Sequence, residues 1–197
     1  MPVGFRRIAP IGVPRRTETL GKPRLVDAIA IERWPVDREG KLAPLYRRFW
    51  TQEVVVYGLS CLNEVLAKFA PAGPESAEGS SCLLSNFPAL VASRSAEVVG
   101  LLPYTLYEDD LYLLALGLWS GSEGQAEALV AEALSLARSL GRRRLRATLT
   151  NADLEGLGLY QRLNFRLGEV RLGTYAGEKG ASGLPVYDEF ILYRQVD

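Results

Sequence analysis

The chain contains no histidine among its 197 residues. That absence removes the commonest general base, the commonest metal ligand and every nucleophile arrangement built on an imidazole partner. Chemistry here must run on carboxylates, phenols, backbone groups or a bound cosubstrate. Cysteine is nearly as scarce. Cys61 and Cys82 are the only two, both in apolar surroundings and without metal-type spacing. They read as reduced, unreactive thiols of a cytosolic protein rather than a disulfide or a zinc site, and no metal is expected. Lysine occurs only at Lys22, Lys41, Lys68 and Lys179, so positive charge is almost all arginine. A charge excess of either sign is missing too: 23 basic residues balance 23 acidic ones. Nothing global therefore points to nucleic acid or to an anionic membrane as a partner. No apolar run is long enough to span a bilayer, and the N-terminus lacks the apolar core of a secretory signal. These absences together predict a cytoplasmic location.

What is present is an ordinary globular composition, 48% hydrophobic and 23% charged, on a chain long enough to bury a core without staples. Residues 1–24 are rich in Pro, Gly and Arg and read as an irregular arm. Residues 25–197 read as one domain. Leu25–Trp34 suits a first strand. Residues 41–70 suit two helices, the first carrying Leu45, Arg48 and Phe49. The second carries Val56, Leu59, Leu62, Val65, Leu66 and Phe69 at amphipathic spacing. Pro71-Ala72-Gly73-Pro74 ends it, and residues 71–81 read as a loop. Leu90–Arg94 and Glu97–Tyr107 read as a hairpin around Ser95-Ala96, with Pro103 marking a bulge or an edge. Leu111–Trp119 is almost wholly apolar, as a central strand covered on both faces would be. A long helix follows over 123–140, with Ala126, Leu129, Val130, Ala133, Leu136, Ala137 and Leu140 on one stripe and Gly141 just past its end. Leu145–Thr150 alternates as a strand and 153–163 forms a short helix. Two last strands, Phe165–Tyr175 and Tyr187–Arg194, flank a Gly-rich loop at 176–184. The expected fold class is mixed α/β.

Two segments carry chemistry. The first is the turn Gly121-Ser122-Glu123-Gly124-Gln125-Ala126, which joins the apolar strand to the long helix. A helix start leaves backbone N–H groups unpaired and is a ready site for phosphate, and small residues let the oxygens approach. The same residues also make a plain helix start, with Ser122 and Gln125 as a capping box and Glu123 complementing the helix dipole. The second segment is Asn151-Ala152-Asp153-Leu154-Glu155-Gly156-Leu157-Gly158-Leu159-Tyr160-Gln161-Arg162-Leu163-Asn164-Phe165. Two glycines inside a short helix each cost about 1 kcal/mol relative to alanine. Close approach by a ligand would account for at least one of them. Tyr160 is either a proton donor or an aromatic packing anchor.

The element order and these two motifs resemble the GNAT superfamily of acyl-CoA-dependent N-acyltransferases. The turn is similar to the family's Gln/Arg-x-x-Gly-x-Gly/Ala signature in its second half, Gly124 and Ala126. It departs in the first half, where Gly121 replaces a long polar side chain and Glu123 sets a carboxylate beside the phosphate site. In the second motif Tyr160, Leu163 and Phe165 match. Asp153 stands at the usual Asn position, Gly156 at the Ala position, and Asn164 replaces a Gly that adopts the left-handed backbone.

The resemblance implies a mixed central sheet of about six to seven strands flanked by helices, splayed into a V between its fourth and fifth strands. It implies acetyl-CoA as acyl donor, with its pyrophosphate on the backbone of Gly121, Ser122, Glu123, Gly124, Gln125 and Ala126. Strand amides near Leu116 and Leu118 would hold the pantetheine arm, and Asp153 and Gly156 would line the same site. It implies Tyr160 as the acid that protonates the departing thiolate. The activity implied is N-acetyl transfer to a primary amine of a small molecule or peptide by direct attack. A degenerate, non-catalytic CoA-binding or interaction module is the alternative, and homodimerisation stays open. No carboxylate stands on either central strand as a base. Glu97, Asp110, Asp188, Glu189 and the phenols Tyr104, Tyr107 and Tyr112 are the remaining candidates.

Overall fold

The computed structural model describes residues 28–36, 40–48, 54–58, 86–119, 123–174, 178–179, 185–186 and 188–197. In chain order these form β1 (Ala30–Trp34), α1 (Leu42–Arg48), β2 (Val54–Tyr57), β3 (Ala89–Arg94), β4 (Glu97–Tyr107), β5 (Asp110–Leu113) and β6 (Leu116–Trp119). Then follow α2 (Glu123–Ser139), β7 (Arg144–Thr150), α3 (Leu154–Arg162), β8 (Arg166–Arg171), β9 (Glu178–Lys179), β10 (Pro185–Val186) and β11 (Glu189–Gln195). The arm at 1–24, Cys61, Cys82 and the loop at 71–81 lie outside the described residues.

Nine strands form one sheet, running β1-β3-β4-β5-β7-β11-β8, with β6 and β2 branching from β4. Neighbours are antiparallel except β5 and β7, which are parallel and joined by the crossover through α2. β9, inside the loop expected at 176–184, pairs with β10 just after that loop to make a separate two-stranded ribbon. The sheet has a core on each face. On one side α2 and α3 cover Leu90, Leu102, Leu111, Leu113, Leu145 and Leu149. On the other, Leu42 and Tyr46 of α1 pack with Val91, Leu101, Tyr112 and Trp119. No helix among the described residues is long and apolar enough to cross a membrane.

α2 forms as its period predicts: Ala126, Leu129, Val130, Ala133 and Ala137 are fully buried on one stripe. Leu140 falls just past the helix end and is exposed, a small correction to that stripe. Gly141 adopts φ +64° there. The Arg142 N–H reaches the Ala137 carbonyl at 2.8 Å and the Gly141 N–H reaches Arg138 at 3.1 Å, the paired bonds of a glycine-terminated helix. α2 sits close to β4 because Gly100 has no side chain; a Cβ there would lie 2.9 Å from Leu129 Cδ1.

Two expectations need correction. Val56 does not begin a helix. The run Val54-Val55-Val56-Tyr57 is a strand, as its β-branched and aromatic residues favour once a partner strand is available. The rest of that expected helix lies outside the described residues. The run Leu111–Trp119 is not one strand either. It breaks at Leu114-Ala115 into β5 and β6, which take different partners. Pro103 stands on β4 where its partner changes from β6, at Gly100 and Leu101, to β5, at Tyr104. A residue that cannot donate is tolerated at such a discontinuity.

Candidate functional site

The break after Leu113 opens the sheet. β5 pairs with β7 from Asp110↔Arg144 to Leu113↔Ala147. Beyond that point β6 stays with β4 and no longer meets β7. The sheet thus forks, with its apex at Leu114 on one arm and Thr148 on the other.

The fork is filled by the chain itself. β2 runs antiparallel along the free edge of β6, pairing Val54↔Trp119, Val55↔Leu118, Val56↔Gly117 and Tyr57↔Leu116. Tyr57 packs into the core under α2 and α3, and Val56 into the core under α1. Gly58 then reaches the apex at φ +84°, where a Cβ would sit 3.3 Å from the Thr148 carbonyl oxygen and 3.8 Å from that of Leu114. Positive φ and that crowding favour glycine at this point. The Gly58 N–H donates to Asp153 Oδ2 at 2.8 Å.

Asp153 caps α3. Its Oδ1 accepts the Gly156 N–H at 2.9 Å, while Oδ2 turns away from the helix to hold Gly58. Burial raises its carboxyl above the ordinary value. The hydrogen bonds from Gly58 and Gly156 pull the other way, and Glu155 adds to the rise. This cap also explains Gly156: a Cβ there would meet the Asp153 carboxylate at 2.4 Å. The close approach expected from a ligand is made by a side chain of the protein. At Gly158 the nearest atom to a Cβ is Arg162 Nη1 at 3.7 Å, so packing does not demand glycine there.

At the mouth of the fork α2 begins with Glu123; Gly121 and Ser122 lie outside the described residues. Gly124 is exposed, with nothing within 4 Å of a would-be Cβ. Gln125 is buried, and Ala126 is buried in the core under the helix. Leu116 and Leu118 point into that same core, and the edge of β6 that carries their backbone toward the fork is paired with β2.

Tyr160 is 1% exposed. Its ring meets Phe165 edge to face, centroids 5.0 Å apart at 87°, and both belong to the core under α2 and α3. Asn164 takes φ +63°, the left-handed backbone its place in the motif requires.

The candidate bases scatter. Glu97 opens β4 at the far hairpin. Asp110 pairs with Arg144 at the closed end of the β5–β7 ladder, at 2.8 Å. Glu189 is 1% exposed and pairs with Arg171 at 3.2 Å. Asp188 Oδ1 accepts the Gly173 N–H. Tyr104 is raised by burial, against a lowering by Arg33. Tyr107 and Tyr112 flank the Arg146 guanidinium at 5.0 and 5.1 Å, and the Tyr112 hydroxyl donates to Thr148 Oγ1 at 2.7 Å. Among the described residues, the carboxylate that stands at the apex is Asp153, which the sequence motif groups with the cofactor. β2 was missed altogether; the available signal was four strand-forming residues closed by a glycine.

No protein-family model matches the sequence, and neither does any curated protein. Solved structures do match. A Desulfovibrio desulfuricans protein assigned to the GNAT family of acetyltransferases superposes with TM-score 0.58 at 20% identity, over 86% of this chain and 100% of that one. An IAA acetyltransferase from Bacillus cereus gives TM-score 0.56 at 16% identity, over 85% and 99%. A Bacillus subtilis acetyltransferase in complex with CoA gives 0.50 at 18% identity, over 61% and 84%. At these identities the likeness is one of fold. The chain has the GNAT fold, a mixed, mostly antiparallel sheet flanked by helices.

Proposed function

We propose that this protein is an acyl-CoA-dependent N-acetyltransferase, passing an acetyl group from acetyl-CoA to a primary amine of a small molecule or peptide by direct attack. The observation that carries this reading is the fork: a parallel β5–β7 pair that separates at Leu114 and Thr148, with α2 starting beyond β6. A cleft of that form takes an extended chain along β6 and an anionic group at the N-terminal end of α2, where the helix dipole favours negative charge. Acetyl-CoA has both features, and a B. subtilis protein of the same fold is in complex with CoA. The donor would supply an activated thioester. In the proposed reaction the amine nitrogen bonds to the acetyl carbon, the carbon–sulfur bond breaks, and Tyr160 gives its proton to the thiolate. The proposal includes a cytoplasmic setting, with neither nucleic acid nor membrane as partner.

The fit is conditional. β2 covers the edge of β6 that the pantetheine arm would use, and it runs from the mouth toward the apex as that arm would. The donor therefore binds only when β2 leaves. This favours a second reading, a GNAT-like module whose cleft is sealed for good by its own strand. Calorimetry with acetyl-CoA separates the two. Gly58→Ala forces a side chain into positive φ, at about 1–2 kcal/mol, and so loosens β2 at its inner end. The acetyltransferase reading expects wild-type binding in the micromolar range, roughly −7 to −9 kcal/mol. It expects Gly58→Ala to bind about tenfold tighter, the equivalent of about 1.4 kcal/mol. Absence of binding in both proteins would leave the sealed module.

A further inference from the structure

We propose that Asp153 is the general base of the reaction, accepting the proton of the incoming amine on Oδ2. This rests on the acetyltransferase reading and supplies the base that the sequence lacks on its two central strands.

An aspartate that only caps a helix needs one oxygen for the first-turn amide. Oδ1 of Asp153 does that with Gly156. Oδ2 has a different task, holding at 2.8 Å an N–H brought by another element to the apex of the fork. The apex is where a donor lying along β6 would end, past Leu116, and so where a nitrogen would meet its acyl carbon. Gly58 thus stands in for the acceptor: a nitrogen at the apex with its proton on Oδ2. When β2 leaves, that oxygen is released at hydrogen-bonding distance from the place the acceptor nitrogen must occupy.

Positioning supports the assignment. The bond to Gly156 fixes the carboxylate, and Gly156 has no Cβ to push it aside. Asp153 and Tyr160 are seven residues apart, two turns of α3, and so lie on one face of that helix about 10 Å apart along its axis. Base and acid are then held by one rigid element, the base toward the acceptor and the acid further along. Burial also keeps the carboxyl a stronger proton acceptor than an exposed one. The competing carboxylates have other tasks: Asp188 holds Gly173, Glu189 holds Arg171, and Glu155 is exposed to solvent and acts on Asp153 only by raising it. The proton balance closes: one proton passes from the amine to Asp153 Oδ2, one from Tyr160 to the sulfur, and solvent restores both groups.

The test uses Asp153→Ser in the full chain, because serine keeps a helix cap and removes the base. Acetyl-CoA binding is measured first by calorimetry, then thiol release with a panel of primary amines across pH 5 to 9. The expected result is donor binding at least as tight as wild type, and up to about tenfold tighter because the Gly58 bond to Oδ2 is lost, with a rate about 10²-fold lower. The rising acidic limb of the wild-type rate profile should vanish in the variant. A variant that keeps its rate and that limb would reduce Asp153 to a cap, with the acetyltransferase reading intact. Failure of both proteins to bind acetyl-CoA would remove that reading and the base with it. A wild type that binds acetyl-CoA but acetylates none of the amines would also overturn the base assignment.

Discussion

β5 and β6 come from one apolar run, yet they meet the rest of the molecule in opposite ways. β5 is locked between β4 and β7, with an ion pair between buried Asp110 and half-exposed Arg144 at the end of its ladder. β6 shares two paired positions with β4 and gives its other edge to β2, a four-residue strand whose inner end is held by a side-chain hydrogen bond. Both segments are equally buried, so hydrophobicity does not distinguish them. What differs is the neighbour. A strand paired with the parallel partner delivered by the α2 crossover is structural. On the proposed reading, a strand paired with a short segment exchanges that segment for a ligand of the same shape.

The sharpest way to break this comparison is to weaken each arm in turn. Leu113 is 2% exposed on the β5 arm, opposite Ala147. Leu113→Ala should lower unfolding stability by about 2–5 kcal/mol in urea titrations. Val56, half-buried on β2, should cost about 1 kcal/mol when changed to alanine. Equal losses would mean that β2 is as integral to the sheet as β5 and does not exchange.

Next in size is the chemistry on α3. Tyr160 is buried against Phe165 in the core that also receives Tyr57 of β2. Tyr160→Phe keeps that ring contact and removes the hydroxyl. As the acid, Tyr160 should show a rate about 10²-fold lower or more. Acetyl-CoA affinity should be nearly unchanged, and stability should shift by no more than about 1 kcal/mol. A loss confined to kcat marks an interaction made only in the transition state. Easier unfolding with full turnover would make Tyr160 a packing residue.

The sequence was legible where local patterning and tertiary structure agree. The α2 stripe up to Ala137, the glycine past its end, the β3–β4 hairpin and the short helix α3 all stand where periodicity and motif put them. It was illegible where partners decide. Nothing in Leu111–Trp119 announces that the run changes neighbours at Leu114, because an apolar residue serves equally well on either side of the break. The helical spacing from Val56 onward competed with a β-branched run, and the free edge of β6 decided for the strand. Gly156 was readable as a special position, but not that an aspartate three residues earlier was the group approaching it. The site residues follow the same division: the motif pointed to Asp153 only as a residue lining the cofactor, and the direction of its second oxygen required the structure.

The smallest effect expected concerns that same carboxylate and its hold on β2. Burial raises the Asp153 carboxyl above its ordinary value despite two N–H bonds to it. The folded protein therefore keeps a proton there to higher pH than the unfolded chain does. The stability this contributes is fully present below the unfolded value and is lost as pH rises through the folded one. Asn cannot titrate, so the difference in Tm between wild type and Asp153→Asn should move against the wild type as pH is raised from about 4 toward neutrality. The ionised carboxylate is still the better acceptor for two N–H groups at once, because an amide offers a single oxygen. The sign of the slope thus tells which of the two influences on Asp153 is larger. A difference that is flat with pH would mean that the carboxyl is not raised. A difference that grows in favour of the wild type would mean that the bonds to Gly58 and Gly156 outweigh burial, and that β2 is held most tightly at neutral pH, when Asp153 is ionised.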